Sequence, residues 1–192
     1  MGSRSTAIIT RRGVLNAANT TGVAVSFGGQ LFAMAGLHPT VQILDDPRER
    51  SAMIDEAWRR FRPYPIVGLG LVGATTAVQV ATRWDHEAPG ERAVDILRLA
   101  CIGGWLGSVL ANHYLFSKPI FDDHHPIETA TRPAIETPPA VARAQRGLAV
   151  GEKVDLAFKT GLLVASALLA VGRKTEAKRP SRFGATPLRR VR

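Results

Sequence analysis

The sequence predicts an all-α protein, an integral membrane four-helix bundle with an amphipathic loop helix and a proline-rich loop. Three observations carry that expectation. No Asp, Glu, Lys or Arg occurs between Arg12 and Asp45, from Pro63 to Thr82, from Leu99 to Ser117, or from Thr160 to Gly172. A bilayer core of roughly 30 Å takes about 20 mostly apolar helical residues. Three windows meet that length or nearly do, and the fourth does so if Lys159 snorkels. Small residues recur at helical spacing in every window, the pattern that lets helix backbones approach in lipid. Basic residues gather at both chain ends, as flanks of membrane spans do.

At 192 residues the chain is about one domain. It divides into a basic N-terminus (1–13), a four-span region (14–172, with spans about 14–37, 64–82, 94–116 and 155–172) and a basic tail (173–192). The net charge is +9, with three arginines in residues 1–12 and eight basic residues against Glu176 alone in 173–192. Such ends suit anionic headgroups of a cytoplasmic leaflet. They are terminal and carry Phe183 as the tail's lone aromatic, so nucleic acid is not the expected partner. The segments expected on the side of the termini hold 13 Lys or Arg, against 10 in the two longer loops. The positive-inside rule then puts both ends in the cytoplasm of a multi-pass protein. A competing reading takes Arg11-Arg12 as a twin-arginine export signal, with Ala33-Met34-Ala35 as its cleavage pattern. The charge-free run continues past Ala35 and fits an uncleaved span better. The single cysteine, Cys101, reads as a small packing residue.

Taken in order, the first span places Asn16, Asn19, Val23, Ser26 and Gln30 on one seam and Gly22, Ser26, Gly29, Ala33 and Gly36 on the next. The first stripe offers hydrogen bonds, as interhelical glue or as a cavity lining, and the second offers close approach. In the first loop Asp46 reads as a cap, Pro47 as the first helical residue and Ile54, Ala57, Trp58 and Phe61 as one apolar face. This helix either lies flat at the interface, the preferred reading given Pro63 and Pro65, or extends the second span outward. The second span carries the stripe Gly70, Ala74, Ala77 and Ala81. The third carries Gly103-x-x-x-Gly107-x-x-x-Ala111, with Asp95 and Arg98 spaced to pair on one face. Trp58, Trp84, Tyr114 and Phe116 fall at window ends, as an interfacial aromatic belt would, while Trp105 sits mid-span. Five prolines between 119 and 139 predict an extended run, and Ala140–Arg146 reads as helix leading into the fourth span, whose small residues are Ala157, Gly161 and Ala165.

Candidate chemistry is sparse. Asp122, Asp123, His124 and His125 follow the third span, and His38 is expected at the same membrane face, so a divalent metal is the conceivable cofactor. The plainer reading is a polar turn before Pro126. No cofactor is otherwise expected. Asn112 and His113 are the candidate catalytic residues, as polar groups at the end of a span. No buried charge marks a transport pathway on this reading.

The layout of Gly36-Leu37-His38-Pro39, then Phe61-Arg62-Pro63-Tyr64, then Asn112-His113-Tyr114 resembles small four-span proteins of the anthrone-oxygenase-like kind, over about residues 16–125. The resemblance implies cofactor-independent oxygenation of a polyketide anthrone. The long proline loop and basic tail depart from that pattern. Three functions are therefore carried forward: an accessory subunit packing against partner membrane proteins, an oxygenase-like enzyme or small-lipophile binder, and a metal-binding membrane protein.

Overall fold

A computed structural model describes residues 11–83 and 89–177, with side chains described for 13–83 and 89–169. The basic residues of 1–10 and 178–192, and Trp84, lie outside them. The protein is mostly helical. Its elements are α1 (Arg11–Phe32), a π-helical segment (Ala33–Leu37), α2 (His38–Thr40) and a 3-10 turn (Val41–Ile43). Next come α3 (Pro47–Phe61), α4 (Pro63–Ala81) and α5 (Pro89–Ala111). A second π segment (Asn112–Ser117), α6 (Lys118–Phe121), strands β1 (Ile127–Thr129) and β2 (Arg132–Pro133), and α7 (Pro139–Ala177) complete the chain. Three stretches, Gly13–Ile43, Pro47–Ala81 and Pro89–Phe121, are long and apolar enough to cross a membrane by length and composition. The expected fourth span lies within α7 and is not among them.

Both π segments have the same local cause. Pro39 and Pro119 each follow one by two residues. A proline ring collides with the carbonyl four residues back in a regular helix. Widening the preceding turn, with His38 N–H on Ala33 O and Lys118 N–H on His113 O, lets each helix continue.

The long helices pack chiefly as two pairs. α1 runs along α4 and α5 along α7, α1 also meets α7, and α4 and α5 touch over a shorter stretch. The α1–α4 contact is close because Gly22 faces Gly68: a methyl group on Gly22 would stand 2.7 Å from the Gly68 carbonyl oxygen. The expected α1 seam is used from Asn19 onward: Asn19, Val23, Ser26 and Gln30 are buried, while Asn16 at its start is exposed and accepts a hydrogen bond from Gln79. On α4 the expected stripe is not used. Gly70, Ala74, Ala77 and Ala81 are exposed, and Gly68, Val72, Thr75, Thr76 and Gln79 are buried instead. Thr75, Thr76 and Gln79 find hydrogen-bond partners on α1 and α5 there, so the alanines face outward. Gly103 and Gly107 likewise face outward with nothing near them.

One end of the assembly is capped. Asp46 Oδ1 accepts from Arg48 N–H at 2.8 Å and starts α3 as expected. The chain stays helical through Arg62, whose N–H bonds the Trp58 carbonyl, so α3 continues outward from α4 rather than being set apart by Pro63 and Pro65. The proline loop does not simply run extended. It forms an antiparallel hairpin pairing Ile127 with Pro133 and Thr129 with Arg132, held to α7 where Gln145 Nε2 donates to the carbonyls of Thr129 and Arg132. Val41, Ile54, Ile120, Phe121, Ile127, Val141 and Leu148 form the apolar core of this cap. A second core, of Val23, Val72, Cys101, Trp105 and Leu162, lies deeper between the long helices.

Candidate functional site

Beneath α3 lies a cavity of about 490 Å³, within the range of small-ligand sites. Ser26 and Gln30 of α1 line it, as do Trp58 and Phe61 of α3. Ile66 and Leu69 of α4 face Leu106, Val109 and Leu110 of α5, with Asn112, His113 and Tyr114 of the π segment alongside. α7 supplies Leu148, Glu152, Asp155 and Lys159. Ile66 (56 % exposed), Leu106 (46 %) and Leu110 (48 %) also reach the outer surface. The cavity is therefore only partly enclosed on the side of α4 and α5.

Its walls are apolar and its deep end is polar. Lys159 Nζ meets Asp155 Oδ2 at 2.5 Å and lies 5.3 Å from the centre of the Trp105 ring, an arrangement in which a carboxylate and an aromatic face share one ammonium. Ser108 Oγ lies 2.9 Å from Asp155 Oδ1 and 2.8 Å from the Trp105 carbonyl, with a single proton to serve both. The expectation that Lys159 snorkels is overturned. It stands twenty positions into α7, about 30 Å from the start of that helix, so it is satisfied inside, at 3 % exposure. The expectation that no charge is buried fails with it, since Glu152, Asp155, Asp95 and Arg98 are buried as well. Glu152, Asp155 and Lys159 were legible as one helical face (i, i+3, i+7), had the helix been started at Pro139 rather than near residue 155.

Two polar atoms at the cavity are buried without a hydrogen-bond partner: Ser26 Oγ and Asn112 Oδ1. A polar atom kept from water and left unmatched costs about 1–3 kcal/mol; here Ser26 Oγ packs against Gly68 of α4 and Asn112 Oδ1 against Gly151 of α7, so both lie behind the cavity wall. Asn112 and His113 are thus brought to one wall, with His113 stacked edge-on against Tyr114 at 4.8 Å between ring centres.

The expected metal residues are dispersed. His38 is buried at the start of α2, with Nε2 3.9 Å from Glu152 Oε1. Asp122, Asp123 and His124 are exposed on the turn after α6, and His124 adopts a left-handed φ of 46° with Nδ1 3.0 Å from the Phe121 carbonyl. His125 Nε2 lies 3.8 Å from Asp123 Oδ2. Among the described residues no group of three or more His, Cys, Asp or Glu converges on one point.

At the opposite end, α1, α4 and α5 are joined by a second polar group. Asn19 Nδ2 reaches Thr75 Oγ1 and Thr76 Oγ1, both at 3.0 Å, and Gln79 Nε2 donates to Asn16 Oδ1 at 2.9 Å. The expected Asp95–Arg98 pair forms at 2.9 Å, and Arg98 also donates to Thr76 Oγ1 and Gln79 Oε1.

No family model matches this chain, and neither a curated protein nor a solved structure matches it. The functional reading therefore rests on the geometry.

Proposed function

We propose that this chain is a multi-pass membrane protein with both termini cytoplasmic, whose four long helices form a bundle that binds a small lipophile in the cavity beneath α3. The observation that carries the reading is the cavity itself. It has apolar walls, a side at α4 and α5 where Ile66, Leu106 and Leu110 are partly exposed, and a polar deep end at Asp155 and Lys159. A lipophile entering from the bilayer would lay its apolar body along Ile66, Leu69, Leu106 and Leu110 and present a polar group to Gln30, Glu152 and Asp155. The resemblance to anthrone-oxygenase-like proteins supports an enzymatic form of the same reading, with Asn112 and His113 beside the bound molecule. The test is organic extraction of the detergent-purified protein followed by mass spectrometry. A stoichiometric lipophile is expected with the wild type and is lost when the cavity is filled by Leu69→Trp or Leu106→Trp. Equal recovery from the filled variants would remove the cavity from consideration.

A second reading, as an accessory subunit, is favoured by one observation. The stripes Gly70-Ala74-Ala77-Ala81 and Gly103-Gly107 are left uncovered on the outer surface, and small-residue faces are what membrane helices use to meet one another. Co-purification of another membrane protein in mild detergent, abolished by Gly103→Leu, supports it. A strictly monodisperse monomer counts against it.

A further inference from the structure

Glu152 stands between two spaces. It lines the cavity beneath α3 and also a second one, of about 290 Å³, bounded by Met34, His38, Gln42, Thr129 and Arg132 under the hairpin. Only 6 % of the residue is exposed, and among the described residues its carboxyl makes no hydrogen bond. The basic group facing it is His38, whose Nε2 is 3.9 Å away, beyond hydrogen-bond length, and is itself unmatched. The other charges around it are committed or distant in role. On α7, Asp155 holds Lys159. On β2, exposed Arg132 lies 3.4 Å from Glu128. On α3, Asp55 holds Arg59 at 2.8 Å. Arg62 is exposed, and His113, on the π segment that packs against α7, lines the same cavity. The deep end therefore contains two carboxyl groups and one committed ammonium. Glu152 keeps only a narrow contact with those two spaces, and a carboxylate so far withdrawn from water costs free energy that a proton or a cation in either space would offset.

We propose that Glu152 receives the cationic head of a lipophilic amine or quaternary ammonium compound, and that the arriving cation displaces a proton from the carboxyl group. This rests on the reading of the cavity as a lipophile site and adds the charge of its ligand. Trp58, Phe61 and Tyr114 line the same cavity and supply ring faces that attract a desolvated cation. The reaction balances as an exchange: neutral carboxyl plus free cation gives carboxylate–cation pair plus one proton. The proton leaves through the second cavity, which Glu152 also borders.

The test uses the full chain purified in detergent, with tetraphenylphosphonium as the cationic probe and N-phenyl-1-naphthylamine as the neutral one. In lightly buffered solution the wild type is expected to release about one proton per cation bound. The cation affinity is expected to rise about tenfold per pH unit while Glu152 is mostly protonated, because protons and cations compete for one group. Glu152→Gln should lose at least tenfold in cation affinity and release no proton, yet bind the neutral probe as before, and Glu152→Asp should recover part of the loss. Unchanged cation affinity in Glu152→Gln, or cation binding by the wild type without proton release, overturns the proposal while leaving the lipophile site standing. Failure of the wild type to bind either probe overturns both. If Glu152→Gln does not fold, the proton count and pH dependence of the wild type decide the matter alone.

Discussion

The two polar regions between the long helices are built from similar side chains and do opposite work. At the end away from the cap, Asn19, Thr75, Thr76, Gln79 and Arg98 fill the space between α1, α4 and α5 and bond to one another. At the capped end, Ser26, Gln30, Asn112, Glu152, Asp155 and Lys159 border an open volume, and some of their atoms have no partner. Polar groups inside a helical assembly act as glue where side chains fill the gap and donors meet acceptors. They make a site where the helices diverge and the gap stays open. The divergence has a local origin: the glycine contact at Gly22 and Gly68 draws α4 to α1, which leaves α4 and α5 meeting over only part of their length.

This contrast can be broken by substitution. The largest effect is expected from Arg98→Ala, which strips Asp95 of the guanidinium 2.9 Å away in a buried setting. Losing one partner of a buried pair costs about 3–5 kcal/mol; Arg83 remains 3.7 Å from Asp95, so the stability read by reversible unfolding in mixed micelles should fall by about 3 kcal/mol, the lower end of that range. Next, Lys159→Met should cost about 3 kcal/mol by leaving Asp155 unpaired, while Lys159→Met combined with Asp155→Asn should recover most of it. A double variant no more stable than the single one would show that the pair is not the unit. Gly22→Ala should cost about 1–3 kcal/mol by pressing on the Gly68 carbonyl and Val72. Gly103→Ala meets nothing within 4 Å and should stay within about 0.5 kcal/mol of the wild type. Asn19→Ala should cost about 1–2 kcal/mol, the sum of modest interhelical bonds. Smallest of all, Ser26→Ala should leave stability unchanged or slightly raised, because it removes an unmatched buried hydroxyl. A stability loss at Ser26 comparable to that at Asn19 would erase the distinction between glue and site.

The amino-acid sequence determined the helices and much of what they carry. Charge-free runs located the three long apolar stretches, Asp46 and Pro47 set the start of α3, and 3.6-residue spacing put Asn19, Val23, Ser26 and Gln30 on one buried face and paired Asp95 with Arg98. Other features left little trace. Strands of three and two residues are too short to show a two-residue period, and the early start of α7 hid the face shared by Glu152, Asp155 and Lys159. Periodicity states which residues share a face and is silent on what stands opposite. Whether Asn19 meets Thr75 and Glu152 meets an open cavity, and whether α4 turns its alanines or its threonines inward, depends on distances between helices far apart in the chain. Only the tertiary structure fixed those distances, and with them the difference between a fastening and a binding site.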